Sequence, residues 1–375
     1  MADLVEFRHE LHRYPEISGQ ERETAQRVAA FLQPMQPDEL ITGLGGHGIA
    51  AVFQGAEPGP TVLFRCELDA LPIEELSDLP YKSTISGRGH LCGHDGHMAT
   101  LAGLALGLAR QRPASGRGIL LFQPAEETGA GAAAVIADPK FASLRPDVSF
   151  ALHNAPGQPL GTVGLVEGPV NCASRGIRIA LGGKTAHASL PQSGLSPMPA
   201  IAQLMPALSR LGGGDITDTD FAMVTVTHCR MGEPTFGVAP GYAEVWATLR
   251  TLTDARMTWL CAEAEKLAHT TAEPFGLTVG IAYDDIFLQC ENAPEAVAHL
   301  RDALDAEGIP HGRGNLPMRG SEDFGRFGAH APAAMFFLGS GENHPRLHNP
   351  DYDFPDALIG IGARVFMRVA RNILG

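Results

Sequence analysis

Five side chains that can bind a metal ion lie within residues 90–97, where glycines let the backbone turn. They are His90, Cys92, His94, Asp95 and His97. In an extended segment Cys92 and His94 project to the same side, so both can reach one metal centre. A thiolate exists at neutral pH only beside a metal or another cation. The run therefore indicates a metal site, although an isolated Cys-x-His pair also occurs in polar loops with a buried cysteine and hydrogen-bonded histidines.

Two adjacent glutamates, Glu126 and Glu127, follow an apolar stretch at 118–122 and a proline that bends the chain. If that stretch is a parallel strand, they lie at the sheet edge where α/β proteins bind ligands. One carboxylate can then bind a metal while its neighbour acts as a general base, as metal-assisted hydrolysis requires. Taken alone, the pair also fits two solvated acids beside the following helix.

Isolated residues elsewhere are less informative by themselves. His153 follows an apolar stretch, His348 lies in a Leu-His-Asn-Pro sequence, and His187 follows a predicted strand. Single histidines are more often hydrogen-bonded structural residues than ligands. The Gly-Ser-Glu-Asp-Phe sequence at 320–324 also fits a helix N-terminus.

The hydrophobic pattern predicts the elements that position these residues. Up to about residue 173, apolar strands alternate with helices, which favours a largely parallel sheet covered by helices. Beyond it, strands alternate apolar and polar residues in the order strand–helix–strand–strand–helix–strand, a ferredoxin-like arrangement. The α/β pattern then resumes. We predict a catalytic domain from 1–173 and 288–375, interrupted by an inserted α+β domain at 174–287.

Composition excludes several classes of partner. The 28 basic and 42 acidic residues give 28 − 42 = −14, which opposes binding to nucleic acid or to an anionic membrane surface. No apolar stretch approaches the roughly 20 residues of a membrane span. The first ten residues carry four charges, which a secretory signal would not tolerate, so we expect a cytoplasmic protein. Six scattered cysteines indicate no disulfide framework.

Seven motifs occur together in a characteristic order. They are Leu-His-Arg-Tyr-Pro-Glu at 11–16, Asp-Ala-Leu-Pro-Ile at 69–73, Cys-Gly-His-Asp-Gly-His at 92–97, Gln-Pro-Ala-Glu-Glu at 123–127, His153 with a following proline, the sequence at 320–324, and Leu-His-Asn-Pro at 347–350. Over residues 11–366 the chain resembles the amidohydrolase branch of the zinc peptidases, which includes aminoacylases, carboxypeptidase G and hippurate hydrolase. The resemblance implies a zinc-exopeptidase-like catalytic domain with a mostly parallel central sheet, and an inserted ferredoxin-like lid domain that forms a homodimer.

The resemblance also implies a dinuclear metal site. Its ligands are Cys92, His94, Glu127, His153 and His348, with Cys92 bridging two ions, His94 and His153 on one ion, and Glu127 and His348 on the other. These donors suit zinc, and manganese, cobalt or nickel can also occupy such a site. The wider family has a His-x-Asp ligand pair where this chain has Glu67-Leu68-Asp69. We therefore expect Asp69 to orient a ligand rather than to bind metal.

Further roles follow from the same resemblance. Glu126 is the general base and acid, and His187 reaches the active site of the partner subunit. Arg319 grips a substrate carboxylate, unless it is an ordinary surface arginine. The family usually has Pro-His where this chain has Pro191-Gln192, and asparagine where it has Gly237. These departures bear on substrate choice.

The implied reaction is hydrolysis of the amide bond of an N-acyl amino acid, such as an acetyl or benzoyl derivative. The products are a carboxylic acid and a free amino acid. One alternative is a dipeptidase or carboxypeptidase that uses the same site. Another is a binding protein that retains the fold without catalysis, which the presence of every ligand and of the base disfavours.

Overall fold

Eight helices and sixteen strands are distributed along residues 2–375, the part of the chain that this computed structural model describes. The helices are α1 (Ala2–Arg13), α2 (Arg22–Leu32), α3 (His94–Arg110), α4 (Gly131–Ala137), α5 (Met198–Ser209), α6 (Asp254–Ala272), α7 (Pro294–Glu307) and α8 (Ala357–Leu374). No helix within these residues is both long and apolar enough to cross a lipid bilayer.

The strands follow in chain order. They are β1 (Glu39–Leu44), β2 (Gly48–Gln54), β3 (Glu57–Glu67), β4 (Ser115–Gln123), β5 (Val148–Pro156), β6 (Val163–Gly164), β7 (Gly168–Asn171), β8 (Ala173–Gly182), β9 (Ala186–His187), β10 (Ala222–Met231), β11 (Val238–Ala239), β12 (Tyr242–Thr251), β13 (Thr278–Phe287), β14 (Cys290–Asn292), β15 (His311–Gly312) and β16 (Ala333–Gly341).

The larger sheet has the strand order β1-β2-β4-β3-β5-β16-β6-β15. Its central strands β4, β3, β5 and β16 are parallel, whereas β1, β2 and β6 have antiparallel partners. Residues 61–67 of β3 are all buried, as expected for a parallel strand covered on both faces. Apolar residues of α1, α3, α7 and α8 pack with these strands in one core. The prediction of an α/β fold with a mostly parallel central sheet is confirmed, and the antiparallel partners of β1, β2 and β6 make the sheet a mixed one.

The chain divides into two compact units. The first contains residues 1–170, 290–316 and 323–375, and the second contains residues 171–289 and 317–322. The structure thus groups 317–322 with the second unit, whereas the sequence-based division placed them in the catalytic domain. The reason is local hydrogen bonding, since Cys172 N donates to Gly320 O over 3.1 Å and Arg250 donates to Arg319 O over 3.0 Å.

The second unit contains a four-stranded antiparallel sheet with the order β10-β12-β8-β13. Its elements follow the chain as β8, α5, β10, β12, α6 and β13, which is the ferredoxin-like sequence of elements. Apolar residues of α5 and α6 pack on the sheet in a core of their own. Separate from this sheet, β9 and β11 form a two-stranded ribbon.

Candidate metal centre

The carboxyl ends of the parallel strands bring the candidate residues of the first unit together. Strands β3 and β4 end at the same edge of the sheet, because their last residues, Glu67 and Gln123, are register partners. Asp69 follows β3 and the two glutamates follow β4, so all three lie at this edge. His153 lies near the end of β5, opposite Phe337 of β16. Parallel strands that end at one edge of a sheet form the usual ligand site of α/β proteins.

Cys92 and His94 reach this edge through a turn rather than an extended segment. The turn ends at Gly93, whose φ is +92°, and α3 begins at His94. A side chain at Gly93 would place its Cβ 2.5 Å from Oδ1 of Asn154, so both the backbone angle and the space require glycine. The prediction that Cys92 and His94 project from an extended segment was therefore wrong, although both side chains reach the same cluster.

The five predicted ligands form two overlapping groups. Cys92, His94 and His153 make one group, and Cys92, Glu127 and His348 make the other; within each group the donor atoms lie within 4.8 Å of one another. Cys92 belongs to both, as the predicted bridging ligand must. The structure thus brings together all five residues, while their role as ligands stays a prediction.

His94 shows that these residues fit a metal ion. Its Nδ1 donates a hydrogen bond to the carbonyl of Asp69 over 2.8 Å, which leaves Nε2 as the free donor atom. Nε2 lies 3.9 Å from Oε2 of Glu126 and 3.9 Å from Oε1 of Glu127. Both Nε2 and Oε1 of Glu127 are buried without a hydrogen-bond partner in the protein. Buried polar atoms normally have partners, and a metal ion would supply one to both.

The electrostatic environment of His94 favours positive charge. Burial lowers the pKa of His94, but the hydrogen bond with Asp69 and the carboxylates of Glu67 and Glu127 outweigh that effect and raise it to about 10. Burial raises the pKa of Glu127 to about 7. A bound cation would take the place of the proton on Nε2 of His94 and would be stabilised by the same carboxylates.

The other donors of the first group are held close together. Sγ of Cys92 lies 3.6 Å from Nε2 of His153, whose Nδ1 donates to the carbonyl of Asn154 over 2.8 Å. Burial, together with His97, lowers the pKa of His153 to about 3, so His153 is neutral, the form that binds metal. Burial and the two glutamates raise the pKa of Cys92 well above its usual value, so a thiolate here requires a cation.

His348 completes the second group from a separate loop. Its Nε2 lies 3.5 Å from Oε2 of Glu127, and its side chain is 48% exposed. Its backbone is in the left-handed region, with φ at +66°, and its N–H donates to the carbonyl of Leu91 over 2.8 Å. The loop is thus tied directly to the segment that carries Cys92.

The turn that carries the two glutamates is strained. Ala125 has φ at +52°, a conformation that residues with a Cβ adopt rarely. Its N–H donates to Oε1 of Glu21 over 2.8 Å, and the N–H of Glu127 donates to Oδ2 of Asp69 over 3.0 Å. Asp69 therefore contacts two predicted ligands, Glu127 through its carboxylate and His94 through its backbone carbonyl.

Three of the five candidates in the 90–97 run do not join the two main groups. Nδ1 of His97 lies 2.6 Å from Oε2 of Glu67, and its Nε2 lies 2.5 Å from Oδ1 of Asn154. Glu67, His94 and His97 could form a third metal group. That group fits a metal less well, because both nitrogens of His97 have partners and the guanidinium of Arg65 contacts Glu67.

The remaining two lie behind the cluster. Asp95 pairs with His12 over 2.9 Å. His90 is fully buried, and neither ring nitrogen has a hydrogen-bond partner. Burial lowers the pKa of His90 to about 4, which keeps the ring neutral.

Sequence reasoning missed a buried network that supports the site. Arg65 contacts Glu67, Gln123 and Asp323, and Glu67 in turn contacts His97. A charged residue in the middle of an apolar strand must find buried partners, so Arg65 was the signal for this network. The partners themselves come from distant parts of the chain.

The second unit carries the other two predicted residues. His187 is exposed on β9, opposite Val238 in the ribbon. Its Nδ1 accepts hydrogen bonds from the N–H and from Oγ of Ser189, at 3.1 and 2.8 Å, so its proton lies on Nε2. Arg319 is also exposed. Arg250, which no motif indicated, donates to Arg319 O and to Ser321 Oγ.

Comparisons with known proteins identify relatives along nearly the whole chain. A sequence profile of Peptidase family M20/M25/M40 matches residues 63–372. N-acetylcysteine deacetylase of Bacillus subtilis (strain 168) is 31% identical over 385 aligned residues, which cover 99% of this chain and 97% of that protein. N-acetyldiaminopimelate deacetylase of Anoxybacillus flavithermus is 30% identical, with 96% of each chain covered.

A solved structure agrees with these sequence matches. The YXEP protein of Bacillus subtilis, described as a dinuclear metal binding peptidase from the M20 family, superposes with a TM-score of 0.83 at 26% identity. The match covers 100% of this chain and 98% of that one. The similarity therefore extends over both compact units.

Proposed function

The chain belongs to Peptidase family M20/M25/M40 and is an amidohydrolase, and on that premise we propose that it hydrolyses N-acyl amino acids to a carboxylic acid and a free amino acid. The observation that carries the proposal is the position of Glu126. Its carboxylate is buried, with Oε2 3.9 Å from Nε2 of His94, and it lies within 4.8 Å of donor atoms of both His94 and Glu127. That is the arrangement of a general base at a metal centre.

Cys92, His94, Glu127, His153 and His348 would hold two divalent ions, for which the thiolate and imidazole donors favour zinc. Such ions supply Lewis acidity, which makes a water molecule more acidic and an acyl carbonyl more electrophilic. Glu126 takes a proton from the attacking water and returns it to the nitrogen of the leaving amine. Asp69 holds His94 through its carbonyl and Glu127 through its carboxylate, so both ligands keep their orientation during turnover.

His187 is proposed to stabilise the tetrahedral oxyanion. Since Nδ1 accepts two hydrogen bonds from Ser189, the proton lies on Nε2, which can donate a hydrogen bond to a negatively charged oxygen. We propose that the second unit forms a homodimer and that His187 serves the active site of the partner subunit. The exposure of His187 on a two-stranded ribbon supports this role.

Arg319 is proposed to bind the free carboxylate of the amino acid, because a guanidinium is the side chain best suited to bidentate carboxylate binding. Gly237 offers no side-chain amide to the substrate, in contrast to the asparagine usual at that position. The acyl group and amino acid are therefore expected to differ from those of relatives that keep the asparagine. We propose that the enzyme acts in the cytoplasm on small molecules.

A dipeptidase activity is the second candidate, since the solved relative is described as a peptidase. Zinc-loaded protein should be assayed with N-acetyl amino acids and N-benzoylglycine beside unprotected dipeptides. We expect the best N-acyl amino acid to exceed every dipeptide in kcat/KM by roughly tenfold or more, which corresponds to about 1.4 kcal/mol of transition-state binding. Faster turnover of a dipeptide would contradict the proposed substrate class and favour the second candidate.

A further inference from the structure

Glu126 is flanked by two residues whose backbone N–H groups bind buried carboxylates. The N–H of Ala125 donates to Oε1 of Glu21, and the N–H of Glu127 donates to Oδ2 of Asp69, at 2.8 and 3.0 Å. Glu21 and Asp69 are both fully buried. The turn that aims Glu126 into the site is therefore fixed on both sides by hydrogen bonds from outside the turn.

Both carboxylates are connected to one short segment of the chain. Oγ of Ser18 donates to the same Oδ2 of Asp69 over 2.7 Å, and Oε1 of Glu21 also accepts the N–H of Gly19 over 2.8 Å. A backbone bridge between Ile17 and Ala70 aligns this segment with the residues after β3. Residues 17–21, which directly follow the Leu-His-Arg-Tyr-Pro-Glu motif, thus contact the loop after β3 and the turn after β4.

Ala125 needs this support because its backbone is left-handed. A residue with a Cβ favours other conformations, so an isolated turn would relax away from φ at +52°. Oε1 of Glu21 accepts the N–H of this left-handed residue. The other oxygen, Oε2, is buried without a hydrogen-bond partner, so burial of this carboxylate has a cost that its two hydrogen bonds must offset.

We propose that Glu21 is a positioning residue for the reaction, which holds the strained turn so that Glu126 and Glu127 keep their separate directions. The inference rests on the proposed role of Glu126 as general base. Glu21 is not a member of either group of candidate ligands. It acts through the backbone of Ala125, and what it provides is a hydrogen-bond acceptor rather than a charge.

The test uses the full-length zinc-loaded protein and the best N-acyl amino acid of the substrate panel. Glu21→Ala should lower kcat by roughly 10- to 100-fold with little change in KM, because the base is misplaced while substrate contacts remain. It should also weaken zinc binding at one of the two sites by roughly tenfold, because Glu127 lies in the same turn. Glu21→Gln should stay within about threefold of wild type in kcat, because the amide oxygen accepts the same two hydrogen bonds.

A second substitution distinguishes positioning from general stability. Glycine adopts the left-handed conformation readily, so Ala125→Gly should raise kcat several-fold in the Glu21→Ala background and have a smaller effect in the wild-type background. Glu16→Ala is the matched control. Glu16 Oε2 accepts the N–H of Thr24 over 2.7 Å in the same segment, so its loss should lower the melting temperature and leave kcat unchanged.

Three results would overturn the inference. They are wild-type kcat and zinc affinity in Glu21→Ala, an equal loss in Glu21→Gln and Glu21→Ala, and a loss in Glu21→Ala that Ala125→Gly does not reduce. Failure of the proposed function is recognised separately, because wild type would then hydrolyse no N-acyl amino acid or Glu126→Gln would remain active. If wild type is active and Glu126→Gln is inactive, any of the three results contradicts only the role of Glu21.

Discussion

His12 and Asp95 form a fully buried pair in which Nδ1 of the imidazole lies 2.9 Å from Oδ2 of the carboxylate. Asp95 follows His94 in the first turn of α3, and Nε of Arg8 lies 3.7 Å from the same oxygen. The pair therefore ties the helix that carries a proposed metal ligand to α1. Nε2 of His12 also lies 3.3 Å from Oε1 of Glu75.

This pair predicts a pH-dependent contribution to stability. Burial lowers the pKa of His12, but Asp95 and Glu75 outweigh burial and raise it to about 9. An unfolded histidine titrates near 6.5, so the stabilisation is complete below about pH 6.5 and is lost as the pH rises through 9. A shift from 6.5 to about 9 corresponds to roughly 3 kcal/mol.

The measurement is the free energy of unfolding of wild type and His12→Asn at pH 6 and pH 9.5. The difference between the two proteins should be largest at pH 6 and should shrink by roughly 2–3 kcal/mol at pH 9.5. Other groups that titrate between pH 6 and pH 9.5 contribute equally to the free energy of unfolding of both proteins, so their contributions cancel in the difference. A difference that is constant with pH would show that His12 is not charged in the folded protein.

Cys92 should be protected from alkylation by bound metal. It is 7% exposed, and its raised pKa makes the thiol of the metal-free protein slow to react, so labelling with iodoacetamide is best followed at about pH 9. Peptide mass spectrometry should show labelling of Cys92 without metal and none with zinc. Cys229, which is exposed, serves as the control and should be labelled equally in both. Equal labelling of Cys92 would remove it from the ligand set.

Arg319 should affect substrates that have a free carboxylate and no others. Arg319→Gln should raise KM for an N-acetyl amino acid by roughly 10-fold or more, since a charged hydrogen bond contributes about 1.5–3 kcal/mol. KM for the corresponding carboxamide should hardly change. A parallel increase for both substrates would mean that Arg319 does not bind the carboxylate.

His187 and Glu126 should complement each other across a dimer. If each site takes Glu126 from one chain and His187 from the other, a mixed dimer of Glu126→Ala and His187→Ala has one intact site and one doubly altered site. Random exchange makes half of the dimers mixed, so about a quarter of wild-type activity should return. Co-refolding of differently tagged chains provides the measurement. Mixed dimers without any gain over the single variants would show that the sites are not shared.

The sequence predicted the parallel core because strands buried on both faces read as continuous apolar runs, as residues 118–122 of β4 do. It also predicted which residues would meet at the sheet edge, since the order of motifs was characteristic. It could not predict that Cys92 lies in a turn. The turn depends on the left-handed backbone of Gly93, and the space for a side chain there is taken by Asn154, a residue distant in the sequence. Glu21 was missed for the same reason, since its partner is a backbone N–H about a hundred residues away.

The adjacent glutamates Glu126 and Glu127 should have separable roles, one as the base and the other as a metal ligand. Glu126→Gln should lose roughly 10²- to 10⁴-fold in kcat, the usual contribution of a general base. It should nevertheless bind two zinc ions per chain, because all five predicted ligands are unchanged, even though Glu126 itself lies within 4.8 Å of donor atoms of His94 and Glu127. Glu127→Gln is the matched variant and should lose one of the two ions.

The decisive measurement is the zinc content of the inactive Glu126→Gln protein, determined by elemental analysis beside wild type and Glu127→Gln. We expect two zinc ions per chain in wild type and in Glu126→Gln, and one in Glu127→Gln. A zinc-depleted Glu126→Gln together with a zinc-replete Glu127→Gln would contradict this expectation, because the base and the ligand would then have exchanged places.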